Sequence, residues 1–120
     1  MSNPFRVRAW HDDLATRDIE WWPALVRMVE GNSYRGREGI ETYFEDIRST
    51  WEELRVLGDE FRDLGGSVLV LGRVHGSGRG SGAQVEAPTG IIFDFRGVKV
   101  SRVRTYLDHA DALKAVGLAE

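Results

Sequence analysis

The sequence predicts an α+β fold in which helices wrap a curved antiparallel sheet around a pocket. Three observations point there. Between Gly66 and Asp108, three runs of β-branched and aromatic residues are separated by turn residues, as in a meander of antiparallel strands. Ahead of it, Ile40, Tyr43, Phe44, Ile47 and Trp51 recur at helical spacing, with Glu41, Glu45, Asp46 and Arg48 opposite them. After it, Asp108 followed by Asp111 and an apolar run reads as a helix N-cap, and Gly117 sits where that helix should stop.

The elements follow in order. Residues 1–18 read as an abbreviated amphipathic helix through Phe5, Val7, Trp10 and Leu14, with His11, Asp12 and Asp13 on its solvated side. Ile19–Val26 is expected to be an irregular edge strand broken by Pro23. Trp21 and Trp22 are adjacent there and point to opposite sides, so one lines the cavity and the other packs outward. A loop over Gly31–Gly36 leads to a helix over Arg37–Leu54. Glu52 and Glu53 look like paired carboxylates, but adjacent residues on a helix diverge, so a solvated end is the better account. Leu54–Leu64 holds a short strand, a turn at Gly58-Asp59 and a second strand from Glu60. Gly78–Ala83 matches the pattern G-x-G-x-x-A of phosphate loops. That motif needs a helix after it, whereas here a strand follows, so a glycine-rich hairpin is expected.

Alternation along the meander assigns faces. Leu69, Leu71, Arg73 and His75 share one side of the first run, and Ala87, Thr89, Ile91 and Phe93 one side of the second. Stacked with Ser101, Val103, Thr105 and Leu107, they give an apolar face carrying Arg73, His75, Thr89 and Thr105, the usual make-up of a small-molecule site. On that reading Val68, Val70, Val74, Ile92 and Tyr106 form an outer patch, which marks an interface. A two-fold homodimer built sheet against sheet is expected, with Arg102, Arg104 and Asp94 in cross-subunit ion pairs.

The bulk numbers exclude several classes. At 120 residues the chain reads as one domain, 1–120, large enough for a core without staples. A net charge of -3 leaves no basic footprint for nucleic acid. The chain has no cysteine, so disulfides, thiolate metal sites and a cysteine nucleophile are excluded. No apolar stretch reaches the roughly 18 residues of a membrane span, and a cytoplasmic location is the expectation. His11, His75 and His109 lack metal-ligand spacing, and no cofactor is implied.

The segments Glu-Trp-Trp-Pro-Ala-Leu, Tyr-Arg-Gly-Arg-Glu-Gly-Ile, Leu-Gly-Arg-Val-His-Gly and Tyr-Leu-Asp-His-Ala-Asp-Ala-Leu-Lys-Ala-Val-Gly-Leu resemble the SnoaL-like group of the nuclear transport factor 2-like superfamily. The likeness covers about residues 19–118 and implies a cone-shaped fold, a pocket between sheet and helices, and a homodimer. The superfamily includes polyketide cyclases, ketosteroid isomerases, limonene-1,2-epoxide hydrolase and scytalone dehydratase. The resemblance places the hydrolase's Arg-x-Asp at Arg73-Val74-His75 and its second aspartate at Thr105. Its water-positioning tyrosine and asparagine fall at Ile19 and Trp21. Only the arginine is kept, so that hydrolase's water activation is not expected here.

Two functional expectations follow. One is acid-base chemistry of isomerase, cyclase or hydrolase type, with His75 moving the proton and Arg73 fixing a substrate oxygen. The other is a non-catalytic pocket for a small hydrophobic or aromatic molecule, walled by Trp21, Trp22, Tyr43, Leu71, Thr89, Ile91, Phe93 and Thr105. A purely structural interaction domain with a filled cavity is the third alternative.

Overall fold

A computed structural model describes residues 14–23 and 34–118. The expected helix through Phe5, Val7 and Trp10, with His11, lies outside the described residues, as do residues 24–33. Six strands form one sheet in the order β2-β1-β6-β5-β4-β3. They are β1 (Ala15–Trp22), β2 (Tyr34–Arg35), β3 (Trp51–Asp63), β4 (Ser67–Gly78), β5 (Gln84–Arg96) and β6 (Lys99–Tyr106). Helix α1 (Gly36–Thr50) precedes β3, and α2 (His109–Ala115) follows β6. All neighbouring strands pair antiparallel except β1 and β6, which run parallel.

Several expectations change at this level. The first strand begins at Ala15, takes in residues expected to be helical, and lies inside the sheet between β2 and β6. Pro23 follows its end, where a missing N–H costs no ladder bond. Helix α1 stops at Thr50, because Trp51 takes extended dihedrals and starts β3. The expected turn at Gly58-Asp59 is instead a bulge within one continuous strand. Gly58 pairs with Gly72 and Glu60 with Leu71, leaving Asp59 as the extra residue.

The glycine-rich segment is a hairpin turn, as its neighbouring strands require. The Gly78 N–H donates to the Ala83 carbonyl (2.8 Å) and the Gly82 N–H to the Gly78 carbonyl (3.0 Å). Arg79 latches this turn onto the end of α1. Its backbone N–H donates to the Thr50 carbonyl (3.0 Å), Nε to the Arg48 carbonyl (2.8 Å) and Nη2 to the Trp51 carbonyl (3.1 Å). A guanidinium there satisfies orphan carbonyls and complements the negative end of the helix dipole.

The two sheet faces carry separate cores. Helix α1 covers one through Ile40, against Ile19, Trp21, Val70, Ile91 and Val103. Helix α2 covers the other through Ala112, against Leu69, Leu71 and Ile92. The Asp108 carboxylate accepts from the Ala110 N–H (2.7 Å), so the expected N-cap is in place. Gly117 closes the helix at φ 78°. Gly90 is what lets α2 seat: a Cβ there would run into that of Ala112.

Candidate functional site

Register assembles the α1-facing side of the sheet into rows. Asp63, Val68, Phe93, Val103, Trp21 and Tyr34 lie in line across the strands. The next row is Phe61, Val70, Ile91 and Thr105, then Gly58, Gly72 and Thr89, and then Val56, Val74 and Ala87. Along these rows the face runs from a packed aromatic end to an open aliphatic one.

The packed end is aromatic. Trp21 meets Tyr43 with ring centroids 4.9 Å apart and Phe44 edge-on at 5.9 Å, while Tyr34 meets Tyr43 at 5.4 Å. Trp21 and Ile91 are almost wholly buried, so both serve as core filling. Burial pushes the Tyr43 hydroxyl up to about 12, against a smaller opposite pull from the Trp21 indole N–H. It therefore stays protonated and neutral at ordinary pH. The Tyr34 hydroxyl donates to Asp46 Oδ2 (2.8 Å). Thr89 and Thr105 donate to the carbonyls of Tyr106 (3.1 Å) and Trp22 (2.9 Å), binding strand to strand through their side chains.

The open end is aliphatic. Val56 is 44% exposed, and Val74 and Ala87 are half-buried beside it. The Trp51 ring and Leu54 lie over Gly76, and the Phe61 ring lies over Gly58, so both glycines admit large side chains onto this face.

Of the expected site residues, Trp21, Tyr43, Thr89, Ile91, Phe93 and Thr105 share the α1 side. Leu71, Trp22, Arg73 and His75 do not. Leu71 packs under α2, and Trp22, paired with Arg104, donates its indole N–H to Glu20 on the far face (3.2 Å). Arg73 pairs with Pro88 and His75 with Glu86, in register with Leu69 opposite Ile92 on the α2 side. Arg73 reaches Asp59 (3.3 Å) and Glu86 (3.6 Å) in half-exposed ion pairs, of a kind worth about 1 kcal/mol or less.

The error is one of parity. Gly78 pairs across the turn with Ala83, leaving an even number of residues between them, so odd positions of β4 face even positions of β5. Assigning faces by matching odd with odd inverted the whole of β4. The same inversion hid Val74 as a site residue, which only the pairing across that turn reveals; Ala87 already lay on the expected pocket face, and Val56 belongs to a strand whose faces the sequence did not assign. The expected outer patch moves too. Val68, Val70 and Val74 face α1, while the apolar residues opposite, Leu69, Leu71 and Ile92, are already buried within the chain.

Asp94 pairs with Arg102 and with Arg104 within the chain. Asp94 accepts from Ser67 Oγ (2.6 Å), from Arg102 Nε (2.8 Å) and from Arg104 Nη2 (3.3 Å). Burial acts to raise the Asp94 carboxyl, but Ser67 and the two guanidiniums outweigh it and hold it below the usual carboxylate value. A depressed folded value means that stability is present above the unfolded value, about 3.9, and lost as pH falls through the folded one. The thermal midpoint is therefore expected to drop on acidification below about pH 4. Asp94→Asn should lower stability at neutral pH and flatten that acid limb. Superimposable acid limbs in the two proteins would assign the drop elsewhere.

Outside the concave face, an open hollow of about 520 Å³ lies along Glu38, Glu41, Thr42, Glu45 and Arg48 on the polar side of α1. Among the described residues, no group of three His, Asp or Glu side chains is placed to hold a metal ion, and no helix is long and apolar enough to cross a membrane.

A family profile described as the SnoaL-like domain matches residues 6–103. No curated protein matches the chain. Among solved structures, a protein described as a SnoaL-like polyketide cyclase from Jannaschia superposes with a TM-score of 0.74 at 17% identity, covering 98% of this chain and 83% of that one. A protein of ketosteroid isomerase-like fold from Catenulispora acidiphila, in complex with trimethylamine, gives 0.69 at 19% identity, covering 98% and 95%. TerC, co-crystallised with polyporic acid, gives 0.69 at 18% identity, covering 90% and 89%. Those identities speak to the fold, which is nuclear transport factor 2-like. Together with a profile that spans most of the sequence, they lead to one conclusion: the chain belongs to the SnoaL-like domain family.

Proposed function

We propose that this chain binds a small apolar or aromatic molecule on the α1 side of its sheet, against the row Val56, Val74 and Ala87. The observation that carries the reading is that this row is aliphatic throughout and half-open, on the same face as the Trp21–Tyr43–Phe44 cluster. Apolar surface left open beside a packed core gains roughly 25 cal/mol for each Å² that a ligand covers. Trp51 and Phe61 supply aromatic edges to the row, and Tyr43 offers a neutral hydroxyl nearer the packed end. Two neighbours in fold, TerC with polyporic acid and the Catenulispora protein with trimethylamine, support a small-molecule role by analogy. Acid-base chemistry through Arg73 and His75 finds no such support, because the sheet itself separates them from this face.

The test is a thermal-shift series with anilinonaphthalene sulfonate and polyporic acid as flat apolar probes and trimethylamine as a small cation. A ligand at a hundred times its Kd stabilises a fold by about 2.7 kcal/mol, a shift of several degrees for a chain of this size. The flat probes are expected to raise the midpoint of the wild type but not of Val74→Arg, whose guanidinium fills the row. Val98→Arg, at an 88% exposed turn position, should bind as the wild type does. Equal shifts in all three proteins would place binding elsewhere.

A further inference from the structure

Strand β3 carries a register shift at its very start. Trp51 pairs with Gly78 and Glu53 with Ser77, so two steps along β3 match one along β4, and Glu52 is the extra residue. Plain alternation would put Trp51 on the α2 side with Glu53 and Arg55. The bulge turns it to the α1 side instead, and re-aiming a side chain beside a site is a common use of bulges. The result shows at Gly76, where an added Cβ would stand 2.9 Å from Trp51 Cε3 and 3.0 Å from Cζ3. Gly76 is the next α1-side position after Val74 along β4, so the indole lies across the end of the aliphatic row.

This end of the face is uncharged. Leu54 and Val85 flank Gly76, as Val56 and Ala87 flank Val74. Val56 and Val85 are each 44% exposed, so the floor stays open up to the ring. An ionic group laid there would lose its water and gain no partner. The row suits an uncharged chain or ring, whose reach toward the β4–β5 turn ends at Trp51.

Arg79 sets where that ring points. Nε donates to the Arg48 carbonyl, Nη2 to the Trp51 carbonyl and Nη1 to Glu52 Oε1 (3.3 Å). The Arg79 backbone N–H donates to the Thr50 carbonyl. These contacts bracket Trp51 from both sides, and a planar guanidinium fixes direction as well as distance. The indole leaves the backbone inside that bracket.

Given a ligand on the Val56, Val74 and Ala87 row, we propose that Trp51, aimed by the Glu52 bulge and held by Arg79, is the end wall that sets how long an uncharged apolar molecule the site accepts, a role that rests on the binding reading above. Trp51 touches the ligand, and Arg79 is a positioning residue that acts through it.

Titration calorimetry with the linear alkanols from butanol to decanol tests this, because the series adds one methylene at a time and no charge. In the wild type each buried methylene should tighten binding about fourfold until the chain meets the ring, where the gain stops. In Trp51→Ala the gain should continue for about two further methylenes, more than about tenfold in Kd for the longest alkanols. Circular dichroism confirms folding, and should Trp51→Ala fail to fold, Trp51→Val reads the same wall with a smaller opening. Arg79→Ala should lengthen the accepted chain in the same direction. Adding it to Trp51→Ala should change nothing more, because the guanidinium then has no ring to place. That failure to add is what a merely structural latch would not produce. Arg96→Ala, which removes an exposed arginine paired with Asp18 at the far end of β5, should keep the wild-type stopping length. A stopping length shared by the wild type and Trp51→Ala overturns the wall. A longer one in Trp51→Ala but not in Arg79→Ala overturns the positioning role. If no alkanol binds any of these proteins, the binding site itself fails, and the wall with it.

Discussion

Gly72→Ala is expected to be among the most damaging single-methyl changes in this chain. Gly72 sits opposite Gly58, where the Asp59 bulge brings β3 close against β4. A Cβ at position 72 would run into the Leu57 carbonyl oxygen, with the carbonyl carbon 2.9 Å and the Gly58 Cα 3.0 Å away. These are backbone atoms, so no rotamer change relieves the overlap. The strands must part, and ladder hydrogen bonds on both sides of the bulge go with them. Overpacking of a core costs about 1–3 kcal/mol where side chains can adjust, and this position belongs at or above the top of that range. Against a typical domain stability of about 5–15 kcal/mol, that is a large fraction. Urea unfolding of Gly72→Ala beside Gly66→Ala measures it, because a Cβ at Gly66 meets nothing within 4 Å. The control should stay within about 0.5 kcal/mol of wild type. Equal midpoints for the two variants would mean that β3 does not approach β4 as closely as the bulge requires.

The same bulge shows where reading the sequence ran out. Helical spacing at Ile40, Tyr43 and Phe44 announced α1 and the face it buries, because a stripe at that period has one way to pack. The Asp108 carboxylate and Gly117 marked both ends of α2, because caps are local chemistry. Faces of strands are another matter. They depend on how many residues a turn or bulge inserts, and neither Gly78–Ala83 nor Asp59 carries a local signature that counts them. One miscounted residue moved Arg73 and His75 from the α2 side to the α1 side, and took a catalytic hypothesis with them. The α1-side aromatics survived the miscount because Trp21 and Tyr43 belong to β1 and α1, not to β4. Ser101 repeats the lesson: the shift between Asp94 and Phe95 makes it an extra residue in β6, which returns Val100 to the α1-side core.

Ile40→Ala is the other change expected to cost most, for a reason that concerns how α1 is held at all. The helix starts at Gly36 with no side-chain cap from Arg35, and of its stripe only Ile40 is fully buried. A helix of this length is marginal in water, so its stability has to come from the sheet it covers. Ile40 sits against Ile19, Trp21, Val70, Ile91 and Val103, and truncating it to Ala removes most of that contact and leaves a cavity. Such truncations cost about 2–5 kcal/mol, and Ile40→Val about 0.5–1.5. If α1 depends on this anchor, the two variants should do more than differ in unfolding midpoint. Ile40→Ala should also weaken the near-ultraviolet circular dichroism of the Trp21–Tyr43–Phe44 cluster below the global transition, as the helix lifts locally while the sheet stays folded. Ile40→Val should keep the wild-type signal. A near-ultraviolet signal that holds in Ile40→Ala until the whole domain melts would show that α1 and the sheet unfold as one unit, with the aromatic contacts alone sufficient to hold the helix down.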